Sequence, residues 1–201
     1  MPYPFTNRVG DIDHLDGLRR GDRQAVAERR HTPKLDASED TRHFSLMTVT
    51  AYPDLFDASQ VEAAIARLHA LTPESTPRWG RMVVSEMLAH VNVAYEMVYE
   101  QKHPRPNPIM RFVLKRFVKA GVVGPAPYPR NALTAPAFRI REARDFIVER
   151  DRLIAYLHRV QREGRSQFEG RESLSFGPLT ATEWNGLFSK HLDHHLQQFG
   201  V

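Results

Sequence analysis

The chain has 201 residues, 41% of them hydrophobic and 26% charged, with a formal net charge of +4 and no cysteine. This is the composition of a globular chain able to bury its own core, and it excludes disulfides, thiolate metal sites and a cysteine nucleophile. The slight, dispersed charge excess makes nucleic acid an unexpected partner. With neither a signal-peptide stretch nor an apolar run near the roughly 20 residues of a membrane span, the expectation is a cytoplasmic protein with no membrane partner.

Residues 1–46 mix dense charges of both signs with few large apolar groups, as in "GDIDHLDGLRRGDRQAVAERRHTPKLDASEDTRH". So little apolar surface does not offset the entropy of ordering, and the segment reads as a disordered N-terminal extension. Two origins stay open: a mobile arm, or upstream sequence translated from a misplaced start codon. His14, His31 and His43 fall here and are discounted as ligands. The domain is expected over residues 47–201.

From Asp57 onward the pattern is helical. Val61, Ile65 and Leu68 recur at one-turn spacing behind Asp57 as N-cap. A second helix carries Met87, Val91, Ala94 and Val98 on one stripe. In "NPIMRFVLKRFVKAG", Asn107 is the expected cap, Pro108 the first helical residue and Gly121 the stop. "VVGPAPYPRNALTAPAF" is a long Pro-rich crossover that cannot be regular helix. Phe146, Leu153, Leu157 and Val160 restore the helical period. No strand run is convincing, although "SLSFG" is extended in character. The last helix opens on a capping box, Thr180 with Glu183. The expected fold is all-α, a helical bundle with one long crossover.

The last helix raises the functional question. With a step of about 100° per residue, Trp184, Phe188, His191, His195 and Phe199 share one face, and His194 lies off it. Two imidazoles one turn apart on a core-facing stripe need partners, and a divalent cation accepts a lone pair from each. Two readings stay open here: satisfied core histidines, or metal ligands. His90, flanking the stripe of the second helix beside small Ala94, is the best third ligand; its alternative is a hydrogen bond to Glu86. His69, His103 and His158 sit among polar or charged residues and are weaker candidates.

The stretches "TPRWGRMVVSEMLAH", "NPIMRFVLKRFVK", "TAPAF" and "SFGPLTATEWNGLFSKHLDHHLQQFG" together resemble the DinB/YfiT-like superfamily. Within it they are most similar to a branch of uncharacterised bacterial proteins with a W-G-x-M…M-L-A-H opening and an H-x-x-x-H-x-x-Q-F close. The resemblance spans about Leu55 to Val201 and implies a DinB-like four-helix bundle. It also implies a metal bound by His90, His191 and His195, zinc or nickel, with His194 outside the ligand set. Members bind divalent metals, some act as transferases using low-molecular-weight thiols, others as hydrolases, and many are homodimers.

Three neutral imidazoles leave a cation its full charge and an open position, the layout of a catalytic site. Glu86, His194 and Gln198 are the candidates for supporting the ligands. The expected function is a metal-dependent enzyme acting on a small molecule, by thiol-dependent transfer or hydrolysis. The alternative is a metal-binding or stress-related protein without turnover. A basic helix at Arg111, Lys115, Arg116 and Lys119 reads as a solvated face rather than a membrane or nucleic-acid site.

Overall fold

The computed structural model describes residues 52–201; the expected extension and the domain start at Met47 lie outside the described residues. The described chain is mostly helical, in the order α1 (Ala58–His69), α2 (Val84–Tyr99), α3 (Pro108–Val113), α4 (Lys119–Val123), α5 (Phe146–Phe168) and α6 (Ala181–Phe199). A hairpin of β1 (Arg171–Ser173) and β2 (Gly177–Leu179) precedes α6.

Local chemistry explains most boundaries. Asp57 accepts the Gln60 N–H at 3.0 Å and starts α1. Asn107 accepts the Met110 N–H at 2.8 Å and starts α3 behind Pro108. Asp145 accepts the Val148 N–H at 2.9 Å and starts α5. The capping box of α6 is complete, with Thr180 Oγ1 accepting from Glu183 N–H and Glu183 Oε2 accepting from Thr180 N–H.

One expectation is corrected and another is sharpened. Gly121 does not stop a helix: α3 runs through a π-helical turn (Leu114–Val118) into α4, which ends at Gly124. The extra residue of that turn shifts the helix face, a change no periodicity count foresees. The "SLSFG" stretch contributes to a real antiparallel hairpin, in which Ser173 pairs with Gly177. Strands of three residues are too short for alternation to announce them.

Helices α1, α2, α5 and α6 share one core: α2 packs against α5 and α6, α1 against α5, and α5 against α6. Every residue of α2 from Met87 to Glu96 is buried, which makes it the central helix. Tyr95 stacks between Tyr156 and Phe188, with centroids at 5.4 and 4.5 Å. Burial of the Phe188 ring stabilises by roughly 1.5–3 kcal/mol, whereas the Tyr95 hydroxyl, buried without a hydrogen-bond partner among the described residues, offsets part of the gain from its own ring. At the far end of α2, Arg152 bridges the buried carboxylates of Glu96 and Glu149 at 2.6 and 2.9 Å.

Helix α6 is buried on more than the expected face. Lys190 is 1% exposed, because α4 crosses the outer side of α6. Its Nζ donates to the carbonyls of Gly121, Gly124 and Ala126 at 2.8, 2.6 and 3.0 Å. A cation thus closes the C-terminal end of α4, where unpaired carbonyls carry partial negative charge. Gly186 allows the approach: a Cβ there would lie 2.4 Å from the Val123 carbonyl oxygen.

Candidate metal centre

The α2–α6 packing brings His90 against His191 and His195. The ring centroids are 4.8 Å apart for His90–His191, 4.7 Å for His90–His195 and 5.0 Å for His191–His195. One ligand nitrogen from each lies within 4.8 Å of the others, and no carboxylate joins the group among the described residues. His90 and His195 are buried, and His191 is partly so.

Surrounding groups set the proton positions. His90 Nδ1–H donates to the Phe138 carbonyl at 2.8 Å, leaving Nε2 as a lone pair. His195 Nδ1 lies 2.8 Å from Gln198 Oε1. The Gln198 amide is oriented independently, because its Nε2–H donates to the Trp79 carbonyl at 2.7 Å. Oε1 therefore faces His195, the imidazole supplies the proton from Nδ1, and its Nε2 is free to ligate. His191 Nε2 lies 2.9 Å from His90 Nε2. Because His90 Nε2 has only a lone pair, His191 Nε2–H donates to it in the metal-free protein, and ligation through all three Nε2 atoms requires the His191 proton to move to Nδ1.

Burial pushes all three imidazole pKa values down, and neighbouring imidazoles lower them further. His191 falls well below the usual range and His195 to about 3. The rings are neutral at neutral pH, the form that ligates. A buried trio of neutral imidazoles, two with Nδ1 protons held by oxygen acceptors, fits a divalent cation that prefers nitrogen donors.

The supporting candidates separate. Gln198 contacts His195 directly. Glu86 is occupied elsewhere: its Oε2 accepts the Val83 N–H at 3.3 Å, capping α2, while the Phe138 carbonyl takes the position at His90 expected of Glu86. His194 stands outside the converging nitrogens, with its ring edge-on to His195 at 5.1 Å and to Tyr128 and Trp79 at 5.7 and 5.8 Å. His103 pairs with Glu96 at 2.8 Å, and His158 lies 3.8 Å from Glu62.

Two contributors were not singled out from the sequence. Phe138 ends a short 3₁₀ turn (Pro136–Phe138) of the crossover, and its ring also rests against His90 and His191 at 5.4 and 5.7 Å. Trp79 and Gly80 form the turn that holds Gln198; Gly80 has φ +82°, and a Cβ there would lie 2.7 Å from Gln198 Nε2. The signal was present as "TAPAF" and "W-G", but loop residues have no periodicity that converts a motif into a contact.

A family model described as protein of unknown function (DUF1569) matches residues 53–200. No curated protein and no solved structure matches the chain.

Proposed function

This chain belongs to the DUF1569 family, and from that premise we propose that it is a metal-dependent enzyme in which His90, His191 and His195 hold one divalent cation, zinc or nickel. The observation that carries the reading is the convergence of three buried, neutral imidazoles whose Nδ1 protons at His90 and His195 are already taken by oxygen acceptors. We read the four long helices as a DinB-like four-helix bundle. The shared core of α1, α2, α5 and α6 and the origin of the ligands, one from α2 and two from α6, support that reading.

A cation held by these three histidines, with no carboxylate in the group among the described residues, would keep its charge and supply Lewis acidity toward a hydrolytic water or a low-molecular-weight thiol. The protein's own groups act around it. Phe138 and Gln198 hold protons on Nδ1 of His90 and His195 and so fix which nitrogen faces inward. The rings of Phe138 and Tyr128 cover His191 and keep bulk water from that side. Burial raises the Tyr128 pKa, so its hydroxyl stays a neutral donor, directed at the Val122 carbonyl at 3.2 Å.

The reaction, thiol-dependent transfer or hydrolysis on a small molecule, and a cytoplasmic setting complete the proposal. No helix among the described residues is long and apolar enough to cross a membrane. A homodimer is part of the reading: Ile109, Phe112 and Phe117 are 79, 67 and 70% exposed on α3 and the π turn, apolar surface that a second copy would cover. The test is elemental analysis of untagged protein purified without added metal, followed by assays with thiol and ester substrates before and after chelation. One equivalent of metal with chelation-sensitive turnover is the expected result. Stoichiometric metal without turnover would favour the non-catalytic alternative, and failure to bind zinc or nickel on titration would end the metal reading.

A further inference from the structure

A cavity of about 170 Å³ lies beside the histidine cluster, with Trp79, Tyr128, Arg130, His194 and Gln197 in its wall. Two of these residues separate it from the ligand candidates: the Tyr128 ring stands edge-on to His191 at 6.3 Å, and His194 edge-on to His195 at 5.1 Å. The cavity is therefore one ring's thickness from the cluster.

Its charges are unevenly satisfied. Asp193, in the same wall, is engaged by Arg67 at 2.8 Å and by the Gln197 amide at 2.6 Å. Lys190 also borders the cavity, but its ammonium is committed to three carbonyls. Arg130 has no carboxylate partner among the described residues; its guanidinium lies over the Trp79 ring at 4.3 Å from the centroid. A cation–π contact restrains the guanidinium without consuming its N–H donors, and a planar fork of donors matches a carboxylate. Trp79 and Tyr128 add aromatic walls for an apolar body.

We infer that this cavity is a subsite for a small aromatic carboxylate, bound by Arg130 through its carboxylate and by Trp79 and Tyr128 through its ring. Its role as the substrate-anchoring part of the centre rests on the metal reading above; its ligand chemistry does not. The substrate class that follows is a carboxylate-bearing small molecule whose reacting group points past Tyr128 and His194 toward the cluster.

The experiment uses benzoate, with benzamide as its neutral isostere, on metal-free and zinc-loaded protein. Binding is followed through the indole N–H resonances, one each from the chain's two tryptophans. Benzoate should shift the Trp79 signal and leave buried Trp184 unmoved, with benzamide at least about tenfold weaker, since a hydrogen-bonded charge pair is worth that much. Arg130→Gln should reduce benzoate to the benzamide level, Arg130→Lys should retain part of the preference, and neither should change zinc stoichiometry. Equal binding of benzoate and benzamide, or an Arg130→Gln protein that keeps the preference, would overturn the subsite. A protein that shows the preference but takes up no zinc would sink the metal reading while leaving the subsite standing.

Discussion

His195 and Gln198 lie one turn apart on α6 and are joined at 2.8 Å, Nδ1–H to Oε1, while the Trp79 carbonyl takes the other end of the same amide. A loop residue far away in sequence therefore decides which imidazole nitrogen of α6 faces His90. Arg78 N–H, donating to the Gln198 carbonyl at 2.7 Å, locks the same turn onto the helix.

Gln198→Ala should weaken zinc affinity by roughly 10–100-fold, the usual effect of removing the partner that orients a ligand. Gln198→Glu keeps an acceptor for His195 but loses the donor to the Trp79 carbonyl, so it should recover only part of the affinity. Calorimetric titration of both variants checks this; an unchanged affinity in Gln198→Ala would show that packing alone orients His195.

Alanine at His90, His191 or His195 should each abolish stoichiometric metal binding. His194→Ala should leave it nearly unchanged, because one residue of helix turns that ring about 100° from His195 and out of the converging group. Equal damage from His194→Ala and His195→Ala would mean that the ligand set is misassigned.

The metal-free protein should lose stability in acid. The folded pKa values of all three imidazoles lie below the ordinary value of 6.5, that of His195 at about 3. Below about pH 6.5 the unfolded chain binds protons that the folded cluster refuses, so stability falls with falling pH until the folded pKa values are reached. Above pH 6.5 this contribution is fully present. Thermal midpoints of the chelated protein from pH 8 to pH 5 test the sign, and a midpoint that rises on acidification would contradict the neutral trio. Zinc should raise the midpoint at pH 7.5 and lose that effect toward pH 5, since protonated imidazole does not ligate.

Gly186→Ala should destabilise the fold by about 1–3 kcal/mol, the usual range for overpacking. The added carbon meets the Val123 carbonyl oxygen, a backbone atom that moves only if α4 shifts. Denaturant unfolding should show a lower midpoint with unchanged slope; a wild-type midpoint would mean that α4 is free to move away.

If α3 and the π turn form the dimer face, Phe112→Ser combined with Phe117→Ser should convert dimer to monomer in sedimentation at micromolar concentration without lowering the thermal midpoint of the monomer. Both side chains are largely exposed within the single chain, so the substitutions remove no core contact. A monomeric wild type would refute the dimer outright.

The sequence by itself determined what depends on neighbours along the chain. The caps at Asp57, Asn107 and Thr180, the buried stripes of α1, α2 and α5, and the one-turn spacing of His191 and His195 are local properties, set by helical geometry and orphan N–H groups. It also ranked His90 first among the distant histidines, on the width of one stripe. The rest was decided by tertiary structure. Gly121 gave way to Gly124 as a stop because Lys190, reaching across from α6, closes α4 one turn later. Lys190 is buried only because α4 packs over it. The Phe138 carbonyl displaced Glu86 at His90 because the crossover folds back over α2, a loop closure across 48 positions that no periodicity encodes. A hydrogen bond between segments far apart in sequence needs both backbones placed to within a few tenths of an ångström, and only the packed core supplies that placement.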